Sequence, residues 1–296
     1  MGRSTDITDE ELIPGPPPQA LADYTGYLLR RAFVRARTCG VRAMPQGRDP
    51  KDLGVLVTVE AVGPLTQRKL GDLLGVNRTT MVKIADGLEG DGLLRRERDP
   101  ADRRNYAVSI TAEGRAAIAE MTRRARLGDA ELTSALTGPE RARLVGLLQR
   151  IVPDLVDLIP GELTGLSAFL IARAHLRLRA EVSVPLSELG IAPHQFGLLT
   201  ALESLQPCSQ QRVATALGIS GPAVVSTVAE LEKRELITRE RNPEDRREHL
   251  LRLTPEGLGR VTAARSIVDV THEELARRVG TAELHELNTL LTKITA

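Results

Sequence analysis

The segments RERDPADRRNYAVSIT, from Arg96 to Thr111, and RERNPEDRREHLLRLT, from Arg239 to Thr254, align without a gap. No other feature limits the fold so sharply. An offset of 143 residues carries Asp102 onto Asp245, Arg104 onto Arg247, Ile110 onto Leu253 and Thr111 onto Thr254. It also places Leu74-Gly75 on Leu217-Gly218, Leu88-Glu89 on Leu231-Glu232 and Pro50 on Pro193. Stacked repeats have periods of about 20–50 residues, so this is a duplicated domain, in keeping with the length of 296 residues. The expected division is a disordered tail at 1–19, a first domain at 20–152, a connector at 153–162 and a second domain at 163–296.

A formal net charge of +1 excludes a general polyanion binder, so any nucleic-acid surface must come from arginines clustered locally. With no Trp, three Tyr and three Phe, the chain lacks the stacking platforms of single-strand and RNA readers, whereas duplex DNA stays compatible. Cys39 and Cys208 do not align between the copies, which points to a reducing compartment and no structural disulfide. No apolar stretch is long enough to cross a bilayer, and the first residues are acidic and proline-rich. The expected setting is the cytoplasm, with no membrane partner.

Each copy opens with apolar residues at helical spacing: Leu21, Tyr24, Leu28 and Ala32 within a helix from Ala20 to about Arg42, and Leu166, Leu170, Ala174 and Leu178 within one from Leu163 to Val184. The tail carries a one-turn capping box of Thr8 and Glu11, closed by the prolines after Pro14. Pro50 and Pro193 suit the first turns of second helices. Thr66 and Ser209 are N-cap candidates for short helices that end at Gly75 and Gly218, where glycine accepts the left-handed conformation. Asn77 and Ser220 are N-cap candidates for the next helices, with Met81, Ile84, Ala85 and Leu88, or Val224, Thr227, Val228 and Leu231, facing inward. Two short strand-like runs follow in each copy, Leu93–Arg98 with Tyr106–Ile110 and Ile237–Arg241 with His249–Leu253, each pair flanking a polar loop with Asp-Arg-Arg. Long amphipathic helices after Thr111 and Thr254, and last helices after Thr137 and from Thr281, complete the copies.

The order helix, helix, helix-turn-helix, two-stranded wing and two long helices, with Asp-x-Arg, five residues, then Ile or Leu and Thr, resembles the MarR family of bacterial transcription factors. The resemblance covers nearly all of each half. It implies a mainly α fold with small β wings: two winged helix-turn-helix domains on a shared helical dimerisation-like scaffold, an intramolecular pseudo-dimer that is monomeric as a chain. It further implies a regulator, a repressor by expectation, whose partners are double-stranded DNA bearing an imperfect inverted repeat and an aromatic or drug-like effector. No catalytic, metal or cofactor site is expected: no phosphate-binding glycine loop or nucleophile motif occurs, and the five histidines lack His-Glu-x-x-His spacing.

A recognition helix offers its outward, N-terminal residues to base edges. In copy one these are Arg78, Thr79, Thr80, Val82 and Lys83, where arginine can pair with guanine and lysine can take a phosphate. Copy two has Ser220 at the cap, then Gly221, Pro222, Ala223, Val225 and Ser226. Val225 suits a thymine methyl and Ser226 a phosphate, and three readings stay open: weaker binding, a different half-site, or no DNA contact. In the wings, Arg103 or Arg104 and Arg246 or Arg247 are candidates for the minor groove, with Asp102 and Asp245 shaping the loops. The resemblance also implies an effector cleft, with Tyr24, Tyr27, Phe33, Phe169, His175 and His194 as candidate lining. Cys208, one residue before a helix cap, is a candidate for a lowered thiol pKa and a redox role, and Cys39 has Arg37 and Arg42 nearby. A competing reading is a scaffold that sequesters a drug or metabolite with weakened DNA binding.

Overall fold

The computed structural model describes residues 16–98, 106–156, 159, 161–243 and 249–296. The tail's capping box at Thr8 and Glu11 and both Asp-Arg-Arg loops lie outside these residues. Copy one runs α1 (Thr25–Ala43), α2 (Pro50–Val62), β1 (Leu65–Thr66), α3 (Gln67–Leu74), α4 (Arg78–Gly90), β2 (Leu94–Arg98), β3 (Tyr106–Ile110), α5 (Ala112–Leu132) and α6 (Gly138–Ile151). Two short helices, α7 (Pro153–Val156) and α8 (Gly161–Thr164), precede copy two. That copy comprises α9 (Ser167–Glu188), α10 (Pro193–Leu205), β4 (Cys208–Ser209), α11 (Gln210–Leu217), α12 (Gly221–Lys233), β5 (Ile237–Arg241), β6 (His249–Leu253), α13 (Pro255–Val279) and α14 (Thr281–Thr295).

Helix starts follow local chemistry. Side chains of Thr66, Asn77, Thr111, Ser209 and Thr254 accept from backbone amides of the first turn, and Thr137 with Glu140 closes a reciprocal capping box, each cap contributing about 1 kcal/mol. Gly75 and Gly218 take the left-handed conformation, at φ 63° and 65°, and end α3 and α11. Ser220 departs from expectation, since its side chain makes no capping hydrogen bond. The sheets repeat with the duplication: the orders are β1-β3-β2 and β4-β6-β5, all antiparallel. Leu94 opposes Ile110 and Arg98 opposes Tyr106, as Ile237 opposes Leu253 and Arg241 opposes His249.

The first helices depart from the sequence reading at their starts. In copy one a 3-10 turn at Gln19–Leu21 precedes α1, and in copy two the expected helix from Leu163 is broken between α8 and α9. The break has a tertiary cause: the Asp129 carboxylate on α5 accepts from the Ala168 amide at 2.7 Å and caps α9 from outside the local sequence. α9 also continues past Pro185 to Glu188, where the fully buried Leu186 anchors the last turn.

The chain forms two compact units, one of Ala36–Leu176 and one of Met1–Arg35 with Arg177–Ala296. The division passes through α1 and α9, so the copies exchange the starts of their first helices. In the unit containing most of copy two, Leu21 joins a core with Phe196, Leu199, Val228 and Val261. There Tyr24 donates to Asp269 at 2.6 Å, Thr25 donates to Asn288 at 2.7 Å, and the buried Arg31 donates to the Thr295 carbonyl at 3.4 Å. The Ala36–Leu176 unit is built the same way round, with the start of α9 held by Asp129 and packed on copy-one elements.

Candidate nucleic-acid interface

In each copy a left-handed glycine turns the chain from one short helix into the next. Met81, Ala85 and Leu88 anchor α4 to the core, and Val224, Val228 and Leu231 anchor α12. The opposite face of α4 exposes Arg78, Thr79, Val82 and Lys83, with Thr80 half-buried at its edge. Asn77 accepts from the Thr80 amide at 2.9 Å, which fixes the first turn that carries Arg78 and Thr79. The structure therefore places the helix candidates of copy one on one outward surface. On α12, Val225 and Ser226 are exposed, while Ser220 is half-buried.

Two features of this surface were not singled out from the sequence. Arg96 on β2 pairs with Asp86 and Glu89 of α4, and at the equivalent positions Arg239 on β5 pairs with Glu232 of α12 at 2.9 Å. These arginines clamp the wing's first strand to the second helix of the helix-turn-helix. The signal was in the repeated Arg-Glu-Arg, whose first arginine has a carboxylate partner 7 residues earlier in both copies. The wing's signature threonine also ties the end of the wing to the turn before it, since Thr111 donates to the Gly92 carbonyl and Thr254 to the Glu235 carbonyl, both at 2.7 Å. Asp102, Arg103, Arg104, Asp245, Arg246 and Arg247 lie outside the described residues. The strands leading to their loops are in place, and the Arg98 guanidinium lies 5.7 Å from the ring centre of Tyr106.

The candidate effector residues fall in both units. In the unit of Met1–Arg35 and Arg177–Ala296, Tyr24 meets Phe196 and His272 edge-on, with ring centres 6.2 and 6.0 Å apart. Tyr27 is half-buried and donates to the Leu217 carbonyl at 3.3 Å. Burial raises the pKa of both tyrosines, so both are neutral phenols. Phe33 and His194 belong to the same unit, Phe33 half-buried on α1 and His194 exposed at the start of α10. An open groove of about 530 Å³ in the same unit is lined by residues other than these candidates, among them Asp23, His272, Leu284, His285 and Asn288. Phe169 and His175 lie on the start of α9 in the Ala36–Leu176 unit. Here the sequence reading missed Arg173. Its Nε and Nη1 are buried and have no hydrogen-bond partner among the described residues, and burial holds its pKa below the usual arginine value. A methyl group on Gly75 would sit 2.0 Å from its Nη1, so the guanidinium lies directly on the helix-turn-helix turn.

The surroundings of Cys208 do not favour a lowered thiol pKa. Cys208 is 2% exposed and pairs with Leu251 in the sheet, and burial pushes its pKa up, outweighing Arg212. Cys39 is also buried. Among the described residues, no group of three or more His, Cys, Asp or Glu side chains is placed to hold a metal ion. No single described helix is long and apolar enough to cross a membrane; α11 and α12 reach that composition only jointly, across a bend of 117°.

Two models of the MarR family match, one over residues 50–106 and one over residues 189–248. A protein of Thauera aromatica assigned to transcriptional regulation of the hcr operon is 31% identical over 152 residues, which is 51% of this chain and 89% of that protein. The uncharacterized HTH-type transcriptional regulator YwaE of Bacillus subtilis is 34% identical over 93 residues, 31% of this chain and 54% of its own length. Among solved structures, the transcriptional repressor CouR bound to a 23-mer DNA duplex is 33% identical, covering 46% of this chain and 96% of its own, with a TM-score of 0.44. The PcaV regulator of Streptomyces coelicolor with its natural ligand is 26% identical, covering 45% and 94%, with a TM-score of 0.40. Matched by the family twice, at the two copies of its own repeat, and aligned with a regulator over 89% of that protein's length, the chain belongs to the MarR family of transcriptional regulators, with two of the family's domains in tandem.

Proposed function

We propose that the chain is a sequence-specific double-stranded DNA-binding repressor that supplies both reading heads of an operator from one polypeptide and is released by a small molecule. The observation that carries this reading is the outward face of α4, where Arg78, Thr79 and Lys83 are exposed opposite a buried anchor of Met81, Ala85 and Leu88. An arginine in the first turn of such a helix can pair with the O6 and N7 of guanine, and a lysine one turn later can neutralise a phosphate. The exchange of helix starts supports the pseudo-dimer, because each unit is completed by the start of the other copy's first helix. A DNA partner implies the cytoplasm as the working compartment. Arg173 supports the effector: an anionic or aromatic molecule that paired with this desolvated guanidinium would act directly on the turn leading into α4.

The test is a fluorescence-anisotropy titration of the full chain against duplexes tiling the DNA upstream of its gene, at two salt concentrations, with a random duplex as control. One tile should bind tightly, and Arg78→Ala should weaken it by about five- to 150-fold, the value of a bidentate guanine contact of about 1–3 kcal/mol. Arg103→Ala or Arg246→Ala should lower the salt slope by about one unit. Weak binding that is equal for all tiles and abolished by modest salt would instead favour the exposed face of α12, which lacks arginine, as the mark of a ligand-sequestering scaffold.

A further inference from the structure

The two reading helices are mounted alike but armed differently. On α12, Pro222, Val225, Ser226 and Ala229 are exposed and recur at helical spacing opposite the buried anchor. The equivalent stripe on α4 is Thr79, Val82, Lys83 and Asp86, preceded by Arg78 where α12 has Gly221. Each helix thus exposes a valine at the same position, Val82 at 37% and Val225 at 49%. The cations are not shared. Copy one exposes Arg68 and Lys69 on α3 and Arg78 and Lys83 on α4, whereas copy two exposes Arg212 on α11 and no cation on α12 before Lys233 in its last turn.

The mounting of α12 nonetheless follows copy one in most respects. The left-handed Gly218, the Ser209 cap, an arginine–glutamate clamp (Arg239–Glu232) and the strand register repeat, while the side-chain cap that Asn77 gives α4 has no counterpart at Ser220. Packing does not account for Val225: a β-branched residue has low helix propensity, and a half-exposed one gains little from burial. The apolar group that a major groove offers to such a side chain is the C5-methyl of thymine.

Resting on the reading of α4 and α12 as DNA-facing helices, we propose that the operator has two unlike halves. Under α4 lies a half-site containing guanine, read by Arg78. Under α12 lies an A·T half-site read by apolar contact, with Val225 against a thymine methyl at the position that faces Val82 in the other half. The chain then binds in one orientation only, a property that two identical protomers on a palindrome cannot have.

Selection of the full chain on a random duplex library tests this. The expected consensus is bipartite, with guanine in one half and a thymine shared at equivalent positions. On the selected duplex, thymine to uracil in the guanine-free half removes only the methyl group and should weaken binding about three- to fivefold, the worth of one buried methyl. Val225→Ala, a surface change, should be insensitive to the same replacement. Replacing the selected guanine by 7-deazaguanine should weaken the parent protein and leave Arg78→Ala unaffected. A palindromic consensus with guanine in both halves, a consensus of one half alone, or a uracil effect undiminished in Val225→Ala would each overturn the proposal while leaving DNA reading intact. No enriched sequence at all would overturn the regulator reading, and this one with it.

Discussion

At Gly257 a methyl group would stand 1.9 Å from the Leu236 carbonyl oxygen, and at Gly114 one would stand 2.2 Å from the Leu93 carbonyl oxygen. The glycine three residues after each signature threonine is there because the helix that follows the wing starts against the wing's own backbone. Gly257→Ala should therefore destabilise the chain by about 1–3 kcal/mol through overpacking. Gly259→Ala, two residues on in the same helix with open space around it, should be neutral or stabilise by about 0.5–1 kcal/mol, as expected for glycine in a helix interior. Thermal unfolding of the two variants checks this, and equal shifts would contradict it. Residues of this kind were legible as a repeated pattern, but not as a cause. The repeat marked Thr111 and Thr254 as special without showing the carbonyls they meet. For the same reason Arg96 and Arg239 went unnoticed as clamps, and Cys208 was read from its position before a helix cap when its burial in the sheet decides its chemistry.

Elements were legible wherever their ends are set locally. The caps at Thr66, Asn77, Thr111, Thr137, Ser209 and Thr254 and the glycine stops at Gly75 and Gly218 depend on residues within one turn, and the structure places them as the sequence indicates. The start of α9 was not legible, because its cap is Asp129, 39 residues earlier in the chain. The duplication carries Asp129 onto His272, and the two copies have diverged there: the aspartate caps a helix start, whereas His272 packs edge-on against Tyr24. Burial lowers the pKa of His272, outweighing the nearby carboxylates of Asp269, Asp23 and Glu273. The native state thus favours the neutral ring, while the unfolded chain takes up a proton near pH ~6.5. The contribution of this site is present above the unfolded value and is lost as pH falls through it toward the folded one. Between about pH 7.5 and about pH 5.5, spanning the ordinary histidine range, the melting temperature of the parent chain should fall further than that of His272→Gln. Parallel falls would remove His272 from the account.

For the whole molecule, the duplication revealed two domains and their internal order, and the resemblance it supports is matched by the family comparison. The exchange of helix starts was beyond reach of periodicity. A helix from Thr25 to Ala43 carries no mark at Arg35 that its first part packs with one copy and its remainder with the other; that is decided by partners more than 200 residues away, such as Asp269 and Asn288. The net charge of +1 also acquires a meaning at this scale, since the exposed cations of α3 and α4 are a local feature of copy one. If both reading heads come from one chain, a single molecule should saturate one operator. Native mass spectrometry of the complex with the selected duplex measures this directly. The account predicts one chain per duplex across the concentration range in which binding saturates; a complex of two chains per duplex, with no one-chain species preceding it, would contradict the pseudo-dimer.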